Sequence, residues 1–123
     1  MNPDNSHALC RSHDLVDGGL AVPFDVVHRG QTCRAFAIRY QGRAHAYLNR
    51  CSHVAMELDW RPNRFFDETG QWLVCATHGA AYRPDSGACA GGPCRGALLR
   101  IELTEQDGVV RWHTAHDLKP VDF

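Results

Sequence analysis

Short runs of alternating apolar and polar residues dominate this chain, and turn residues separate them. Residues 33–40 alternate in this way, and residues 43–49 repeat the pattern on the other side of Gln41-Gly42. A period of two is typical of a strand with one buried face, and a two-residue linker containing glycine joins such strands in a hairpin. The pattern therefore predicts a hairpin that leads directly to Cys51.

Several further runs have strand character and are bounded by Gly, Pro, Asn or Asp. Pro23 cannot donate to a strand ladder, so it is expected at a strand edge or a strand start. In the run 98–104, Leu99, Ile101 and Leu103 are expected to point inward. Short strands with turns about every 8–12 residues predict an all-β fold, a small antiparallel barrel or sandwich. The additional strands are expected within residues 14–16, 20–28, 71–75, 88–89, 98–104 and 109–113.

A length of 123 residues suits a single domain over residues 1–123. Residues 1–13 are expected to form a polar N-terminal arm and residues 114–123 a polar C-terminal tail. The net charge of -1 offers no basic surface for nucleic acid. No apolar run approaches a membrane span, and the first residues lack the pattern of a secretory signal, so a cytoplasmic location is expected.

Two short motifs carry the candidate chemistry. The first is C-x-H at Cys51 and His53, and the second is C-x-x-H at Cys75 and His78, with 21 residues between His53 and Cys75. Each motif offers one thiolate and one imidazole. Brought together they form a four-ligand site of composition Cys2His2, which suits an iron–sulfur centre or zinc.

These paired motifs resemble those of the Rieske [2Fe-2S] domain family. Gly79, directly after the second motif, and the later loop Gly91-Gly92-Pro93 add to the resemblance, which covers roughly residues 14–113. It implies an antiparallel fold with a cluster-binding region over residues 51–94, consisting of two hairpin-like ligand loops and a covering proline loop.

The resemblance also implies a cofactor, its ligands and a function. One [2Fe-2S] cluster per chain is expected, with Cys51 and Cys75 on one iron and His53 and His78 on the other. The expected function is a one-electron carrier in a multicomponent oxygenase or oxidoreductase system, not catalytic alone. A reductase would supply its electrons and a terminal oxygenase or other oxidoreductase would accept them.

Departures from the family pattern place the expected potential in the low half of the Rieske range, which spans roughly -150 to +300 mV. High-potential members carry a disulfide across the cluster, but Met56 and Thr77 stand at the matching positions. They also place a serine hydroxyl on a bridging sulfide, where this chain has Ala80. Their tyrosine that donates to a ligand sulfur has a counterpart in Tyr82.

Two other functions compete with the electron carrier. One is a Rieske-like regulatory or small subunit of a larger oxidoreductase, of the nitrite-reductase type. The other is a structural Cys2His2 zinc domain with an interaction role. Zinc fingers usually present two of their ligands from a helix. Both motifs here follow predicted strands, which favours the iron–sulfur interpretation.

The segment 57–69 makes the interval between the two motifs longer than expected of a typical Rieske ferredoxin. It carries Trp60, Phe65 and Phe66. The favoured interpretation is that these aromatic residues fill the core beneath a long loop. The alternative is a docking patch beside the cluster, because exposed aromatic residues in loops tend to mark interfaces.

The remaining cysteines and histidines are given structural roles. Cys89 and Cys94 flank the proline loop; a disulfide fits their spacing, but free thiols are expected in a reducing cytosol. Cys33 is expected to be a small core residue. The C-x-x-H of Cys10 and His13 has no second half and is not expected to bind a metal. Surface or strand positions are expected for His28, His45, His113 and His116.

Overall fold

The computed structural model describes residues 6–50, 63–75, 79–92, 96–115 and 117–121, and the strands within them pair in antiparallel fashion. Helical structure in this part of the chain is limited to one 3-10 turn at Ser12–Asp14. The predicted all-β class is confirmed. The strands are β1 Ser6–Arg11, β2 Val22–His28, β3 Gln31–Tyr40, β4 Arg43–Leu48, β5 Leu73–Val74, β6 Ala81–Tyr82, β7 Cys89–Gly91, β8 Arg100–Ile101, β9 Leu103–Gln106, β10 Val109–His113 and β11 Leu118–Pro120.

The strands form three sheets. The central sheet has the order β11-β2-β3-β4-β8, the terminal sheet has the order β1-β10-β9, and the small sheet has the order β5-β6-β7. The small sheet contains the strands on either side of the C-x-x-H motif, so its placement decides where that motif lies.

The predicted hairpin is the centre of the fold. Strands β3 and β4 pair in register from Tyr40 opposite Arg43 to Ala35 opposite Leu48. The two linker residues, Gln41 and Gly42, both have positive φ, 50° and 81°. Positive φ at both positions is the requirement of the tight turn whose twist matches that of the strands. This hairpin is confirmed.

Alternate residues of β3 and β4 enter two different cores, so the central sheet is buried on both faces. Phe36 and Tyr47 point toward the small sheet, whereas Ala37 and Leu48 point toward the terminal sheet. Burial of one large aromatic side chain contributes about 1.5–3 kcal/mol. The side chains of β3 and β4 therefore form the base on which the small sheet packs. The core beneath the small sheet consists of Ala21, Phe36, Ile38, Tyr47, Phe65, Phe66, Leu73, Cys75, Ala80, Tyr82 and Leu98.

The expected polar arm over residues 1–13 is wrong for residues 6–11, which form β1. This strand pairs with β10 and places His7 opposite Trp112. The Trp112 side chain is buried, and the His7 ring lies 5.2 Å from it. Since β1 needs to cover only one side of β10, a mixed and partly polar sequence is sufficient for it.

The expected polar tail over residues 114–123 is likewise wrong for Leu118–Pro120, which form β11. This strand pairs with β2 from Val26 to His28. Leu118 is buried in the core beneath the terminal sheet. Pro23 lies near the beginning of β2, beyond the reach of β11. The strand-start interpretation of Pro23 is confirmed.

The predicted strand over residues 14–16 is wrong. Asp14 ends the 3-10 turn, and its carboxylate accepts a hydrogen bond from the Arg11 N–H at 3.0 Å. An acidic side chain that bonds locally to the backbone favours such a turn over a strand.

The inward pattern predicted for residues 98–104 is correct for Ile101 and wrong for Leu99. Ile101 is buried, but Leu99 is 41% exposed and Leu98 is buried in its place. Regular alternation fails because β8 has only two residues, and the irregular chain before it bonds through the Leu98 N–H to the Gly87 carbonyl at 2.9 Å.

Candidate metal centre

The first ligand motif follows the end of β4, where backbone hydrogen bonds hold the chain on both sides. The Leu48 N–H donates to the Leu99 carbonyl and the Asn49 N–H donates to the Arg34 carbonyl, each at 2.9 Å. Asn49 is buried. The chain is therefore fixed up to the residues directly before Cys51. Cys51 and His53 themselves lie outside the described residues.

The second ligand motif follows a hairpin that ends in β5. The Val74 N–H donates to the Phe65 carbonyl and the Asp67 N–H donates to the Trp72 carbonyl, both at 2.9 Å. At the tip, the Asp67 carboxylate accepts hydrogen bonds from the Thr69 N–H and the Gly70 N–H at 3.1 Å. The strand predicted over residues 71–75 is confirmed at Leu73–Val74.

Aromatic residues between the motifs fill the core beneath this hairpin. Phe65 and Phe66 are 1% and 2% exposed. The Phe65 ring stacks on Phe36 of β3 with 3.7 Å between centroids. Burial of each large aromatic side chain contributes about 1.5–3 kcal/mol. The core interpretation is therefore confirmed for these two residues, whereas Trp60 lies outside the described residues.

The ends of the C-x-x-H loop are tied together by two backbone hydrogen bonds. The Gly79 N–H donates to the Cys75 carbonyl at 2.9 Å, and the Cys75 N–H donates to the Ala80 carbonyl at 2.8 Å. Gly79 has φ 73°, a conformation that glycine adopts without a Cβ penalty. The Cys75 thiol is buried in the core beneath the small sheet. The base of the loop is thus defined, and His78 lies outside the described residues.

A third segment packs against this loop through Gly92. A Cβ built on Gly92 would lie 2.9 Å from the Ala80 Cα and 3.1 Å from the Gly79 carbonyl oxygen. Backbone at such a distance leaves no room for a side chain. The described part of the predicted Gly91-Gly92-Pro93 loop therefore lies directly against the second motif.

Tyr82 and Ala80 are completely buried in the same core as Cys75. Tyr82 lies on β6, opposite Cys89 in the register of the small sheet. This placement agrees with the role that the resemblance implies for Tyr82. The hydrogen bond from its hydroxyl to a ligand sulfur stays a prediction.

The expectation that Cys89 is a free thiol is wrong, because it is disulfide-bonded. Its partner lies outside the described residues, as does Cys94. Cys89 is half-buried on β7 and packs against the core that contains Cys75. The free-thiol expectation depended only on the assumption of a reducing compartment. The spacing of the cysteines and the strand pattern were compatible with a disulfide.

The other cysteines and histidines keep structural roles. His28 lies on β2 and His113 on β10, as predicted, whereas His116 lies outside the described residues. Cys10 and Cys33 are free, half-buried thiols that pack against the core beneath the terminal sheet. Burial, followed by the nearby Asp14 carboxylate, raises the pKa of Cys10 to about 11. A protonated thiol is a poor metal ligand. Within the described ranges no three His, Cys, Asp or Glu side chains come together as a metal site.

Three polar side chains form a cluster beneath the small sheet that the sequence did not predict. The Arg100 guanidinium contacts Tyr47 and His45, and His45 is buried on β4. The pKa of His45 is lowered by burial and by Arg100. His45 occupies a strand, as predicted, but its buried position beside a cation was not predicted.

No helix in the described part of the chain is long and apolar enough to cross a bilayer.

The fold is shared with solved proteins of one oxygenase system. The chain matches the ferredoxin of carbazole 1,9a-dioxygenase from Nocardioides aromaticivorans IC177 with a TM-score of 0.70 and 17% identity, covering 89% of this chain and 97% of that one. It matches a chain of the complex of reduced oxygenase and oxidized ferredoxin in carbazole 1,9a-dioxygenase with a TM-score of 0.69 and 21% identity, over 97% and 99% of the two chains.

Longer chains also contain this fold. In the reduced complex between oxygenase and ferredoxin in carbazole 1,9a-dioxygenase, the TM-score is 0.69 and the identity 19%, with 89% of this chain covered. This chain spans only 28% of the chain that it matches there. A search of curated proteins gives no significant match.

The site therefore belongs to an all-β domain in which a buried cysteine, the closed base of the C-x-x-H loop and the packed Gly92 backbone lie together on the small sheet. The chain belongs to the Rieske [2Fe-2S] domain family, whose model matches residues 5–112. The predicted family and its [2Fe-2S] cofactor are confirmed. The four ligands proposed from the sequence stay a prediction.

The described residues fit such a cluster. Cys75 provides a buried thiol, and the close packing of Gly92 on Ala80 shows a backbone enclosure next to it. Two thiolates and two imidazoles are the donor set of a Rieske centre. Soft sulfur ligands inside an apolar core also suit iron–sulfur coordination.

Proposed function

We propose that this protein is a soluble one-electron carrier of the Rieske ferredoxin type. The observation that carries the proposal is the family assignment together with a match over 97% of the length of a ferredoxin. The longer oxygenase-complex chain is matched over only 28% of its length. The likeness over nearly the full length of a ferredoxin therefore supports electron transfer.

Cys51, His53, Cys75 and His78 are the proposed ligands. Cys51 and Cys75 would hold one iron, and His53 and His78 the other. Buried Cys75 at the base of the tied loop supports an inner position for the thiolate iron. An outer position for the imidazole iron would place both histidines near solvent, where an electron has a short path to a docked protein.

When bound, the cluster supplies reversible one-electron redox chemistry, and its two neutral imidazole ligands raise the potential above that of an all-thiolate cluster. The chain's own residues hold and enclose it. Cys75 is kept from water by the core beneath the small sheet. Gly79 provides the positive φ at the base of the loop, and Gly92 lets its backbone lie directly against Ala80. Such an enclosure controls the dielectric and solvent access of a metal site.

The proposed partners are a reductase that supplies the electron and a terminal oxygenase or other oxidoreductase that accepts it. Ferredoxin–oxygenase complexes among the structural matches support the second partner. The proposed location is the cytoplasm, which makes the disulfide of Cys89 an exception to the rule that disulfides are rare in that compartment.

The experiment that tests this function measures the iron and sulfide content of the purified protein and the number of electrons that it takes up. Two irons and two sulfides per chain, an anisotropic EPR signal after reduction, and one electron per chain in a coulometric titration are expected. Zinc in place of iron, or uptake of no electron, would exclude the electron carrier.

Ligation is tested with a matched pair of cysteine variants. Cys75→Ser is expected to lose the cluster, because it removes a buried thiolate ligand. Cys33→Ser is the control, since Cys33 is a half-buried free thiol in the other core. Retention of two irons in Cys75→Ser would contradict the ligand assignment.

A further inference from the structure

The turn between β6 and β7 is held by hydrogen-bond donors from β4, from β8 and from the segment just before β8. The Tyr47 hydroxyl donates to the Pro84 carbonyl at 2.7 Å, and the Leu98 N–H donates to the Gly87 carbonyl at 2.9 Å. Arg100 Nη1 donates to the Asp85 carbonyl at 3.1 Å. Three carbonyl groups of one turn are therefore fixed by residues outside the small sheet.

Tyr47 and Arg100 form one unit. They are direct neighbours in the pairing of β4 and β8, and Arg100 Nη1 donates to the Tyr47 hydroxyl at 3.3 Å. The guanidinium carbon lies 5.9 Å from the centre of the Tyr47 ring, within the range of a cation–π contact. Tyr47 is completely buried, so the hydrogen bonds of its hydroxyl have no water to replace them.

Close packing reinforces these hydrogen bonds. A Cβ on Gly87 would lie 2.8 Å from Tyr47 Cε1, and Gly87 has φ 77°. Burial raises the pKa of Tyr47 to about 12, which keeps the phenol protonated as a donor at neutral pH. His45 Nδ1 lies 3.3 Å from Arg100 Nη1 and accepts from it when the imidazole is neutral.

Tyr47 is also linked to β5, the strand that leads into the C-x-x-H motif. Its ring lies 6.0 Å from Phe36, which stacks on Phe65. The Phe65 carbonyl in turn accepts a hydrogen bond from the N–H of Val74, the residue before Cys75. Tyr47 is thus linked to β5 through rings and to β6–β7 through the turn.

The anchored turn lies at one end of β6 and β7, and Ala80 and Gly92 lie at the other end. We propose that Tyr47 and Arg100 are positioning residues that fix the small sheet on its base and so set the redox potential of the centre beside Cys75. The inference rests on the proposed function, because it concerns the same site. Hydrogen bonds and enclosure around the cluster sulfurs tune such potentials, and both depend on where β6 and β7 lie.

The test compares Tyr47→Phe, Arg100→Gln, the double variant and Arg111→Gln in the cluster-loaded protein. Tyr47→Phe removes only the hydroxyl and keeps the ring that packs on Phe36 and Gly87. Arg111→Gln is the matched control, since Arg111 bonds to Ser6 across the terminal sheet at 3.1 and 3.3 Å and is not part of the small sheet.

The readouts are the midpoint potential, the EPR g values and amide hydrogen exchange at Gly87 and Leu98. Tyr47→Phe and Arg100→Gln are expected to shift the midpoint in the same direction, beyond the scatter of the wild-type titration. The double variant is expected to shift no further than the larger single change, because the two groups act as one unit. Arg111→Gln is expected to leave the midpoint and g values unchanged.

Faster exchange at Gly87 with unchanged midpoint and g values would reduce the pair to a structural role and overturn the proposal. Unchanged exchange would show that the turn does not depend on Tyr47, and additive shifts would show that the two residues act separately; either result also overturns it. Amide exchange does not need a cluster. If the wild-type protein binds no cluster, the proposed function fails, but amide exchange still tests whether Tyr47 and Arg100 hold the turn between β6 and β7.

Discussion

The guanidinium of Arg39 on β3 and the carboxylate of Glu105 on β9 form a two-point ion pair, with N–O distances of 2.6 and 3.2 Å. The same guanidinium donates to the carbonyls of Ser12 and Leu15 at 2.9 Å. A planar guanidinium is suited to such simultaneous contacts. The pair joins the central sheet to the terminal sheet and holds the segment between β1 and β2.

This ion pair predicts a loss of stability in acid. The hydrogen bond from Arg39, followed by one from Ser12, lowers the pKa of Glu105 from its ordinary value near 4.5. A carboxyl group with a lowered pKa in the folded state stabilises that state above the ordinary pKa, and this contribution is lost as the pH falls through the lowered one. Glu105→Gln is expected to lower the free energy of unfolding by about 0.5–1 kcal/mol at neutral pH, since the pair is partly exposed.

Urea unfolding at neutral and acid pH checks this, at equal cluster content. The difference between wild type and Glu105→Gln is expected to shrink in acid. Glu102→Gln is the control, because Glu102 is exposed just before β9. An equal effect of both substitutions at neutral pH would show that loss of a charge, not of the Arg39 contact, is responsible.

The packing of Gly92 on Ala80 predicts that a single methyl group disturbs the centre. Gly92→Ala would force its Cβ to 2.9 Å from the Ala80 Cα at a φ of 82°. Backbone strain of this kind and overpacking each cost about 1–3 kcal/mol. Gly92→Ala is therefore expected to bind less iron after reconstitution, measured as iron per chain.

Gly91→Ala is the matched control for that substitution. A Cβ on Gly91 meets nothing within 4 Å, and its φ is not in the left-handed region. Full iron content in both variants would show that the approach of this loop to Ala80 is not needed for cluster binding.

Patterns that depend on neighbouring residues were predictable from the sequence, whereas contacts between distant residues were not. The β3–β4 hairpin follows from alternation around Gln41-Gly42, and the two ligand motifs follow from their spacing. The strand β1 was missed because its pairing with β10 joins residues about a hundred positions apart, and a mixed sequence gives no periodic signal. The Tyr47–Arg100 unit was missed for the same reason, since neither residue type nor spacing links β4 to the Pro84 turn.

The disulfide of Cys89 predicts a specific pattern of thiol modification. In denatured protein without a reductant, iodoacetamide is expected to modify Cys10 and Cys33 but not Cys89. After a dithiol reductant, Cys89 is expected to become modified as well, because thiol–disulfide exchange releases its thiolate. Peptide mass spectrometry reads out each site, with Cys33 as the internal control. Modification of Cys89 before reduction would contradict the disulfide.

Ala80 offers a way to raise the potential of the centre. The Rieske resemblance implies that high-potential members have a serine at this position, whose hydroxyl donates a hydrogen bond to a bridging sulfide. Ala80 is completely buried. A hydrogen bond to a cluster sulfur stabilises the more negative, reduced state. Ala80→Ser is therefore expected to raise the midpoint, from a wild-type value in the low half of the range of roughly -150 to +300 mV.

Protein-film voltammetry of both proteins measures this shift, and Ala81→Ser is the control. Ala81 follows Ala80 as the first residue of β6, is half-buried, and is not part of the core that contains Ala80 and Cys75. Ala81→Ser is expected to leave the midpoint unchanged, because a hydroxyl there lies outside that core. A lower midpoint in Ala80→Ser, or equal shifts in both variants, would mean that position 80 does not face a cluster sulfur. A wild-type midpoint in the upper half of the range would show that this chain reaches a high potential without the serine.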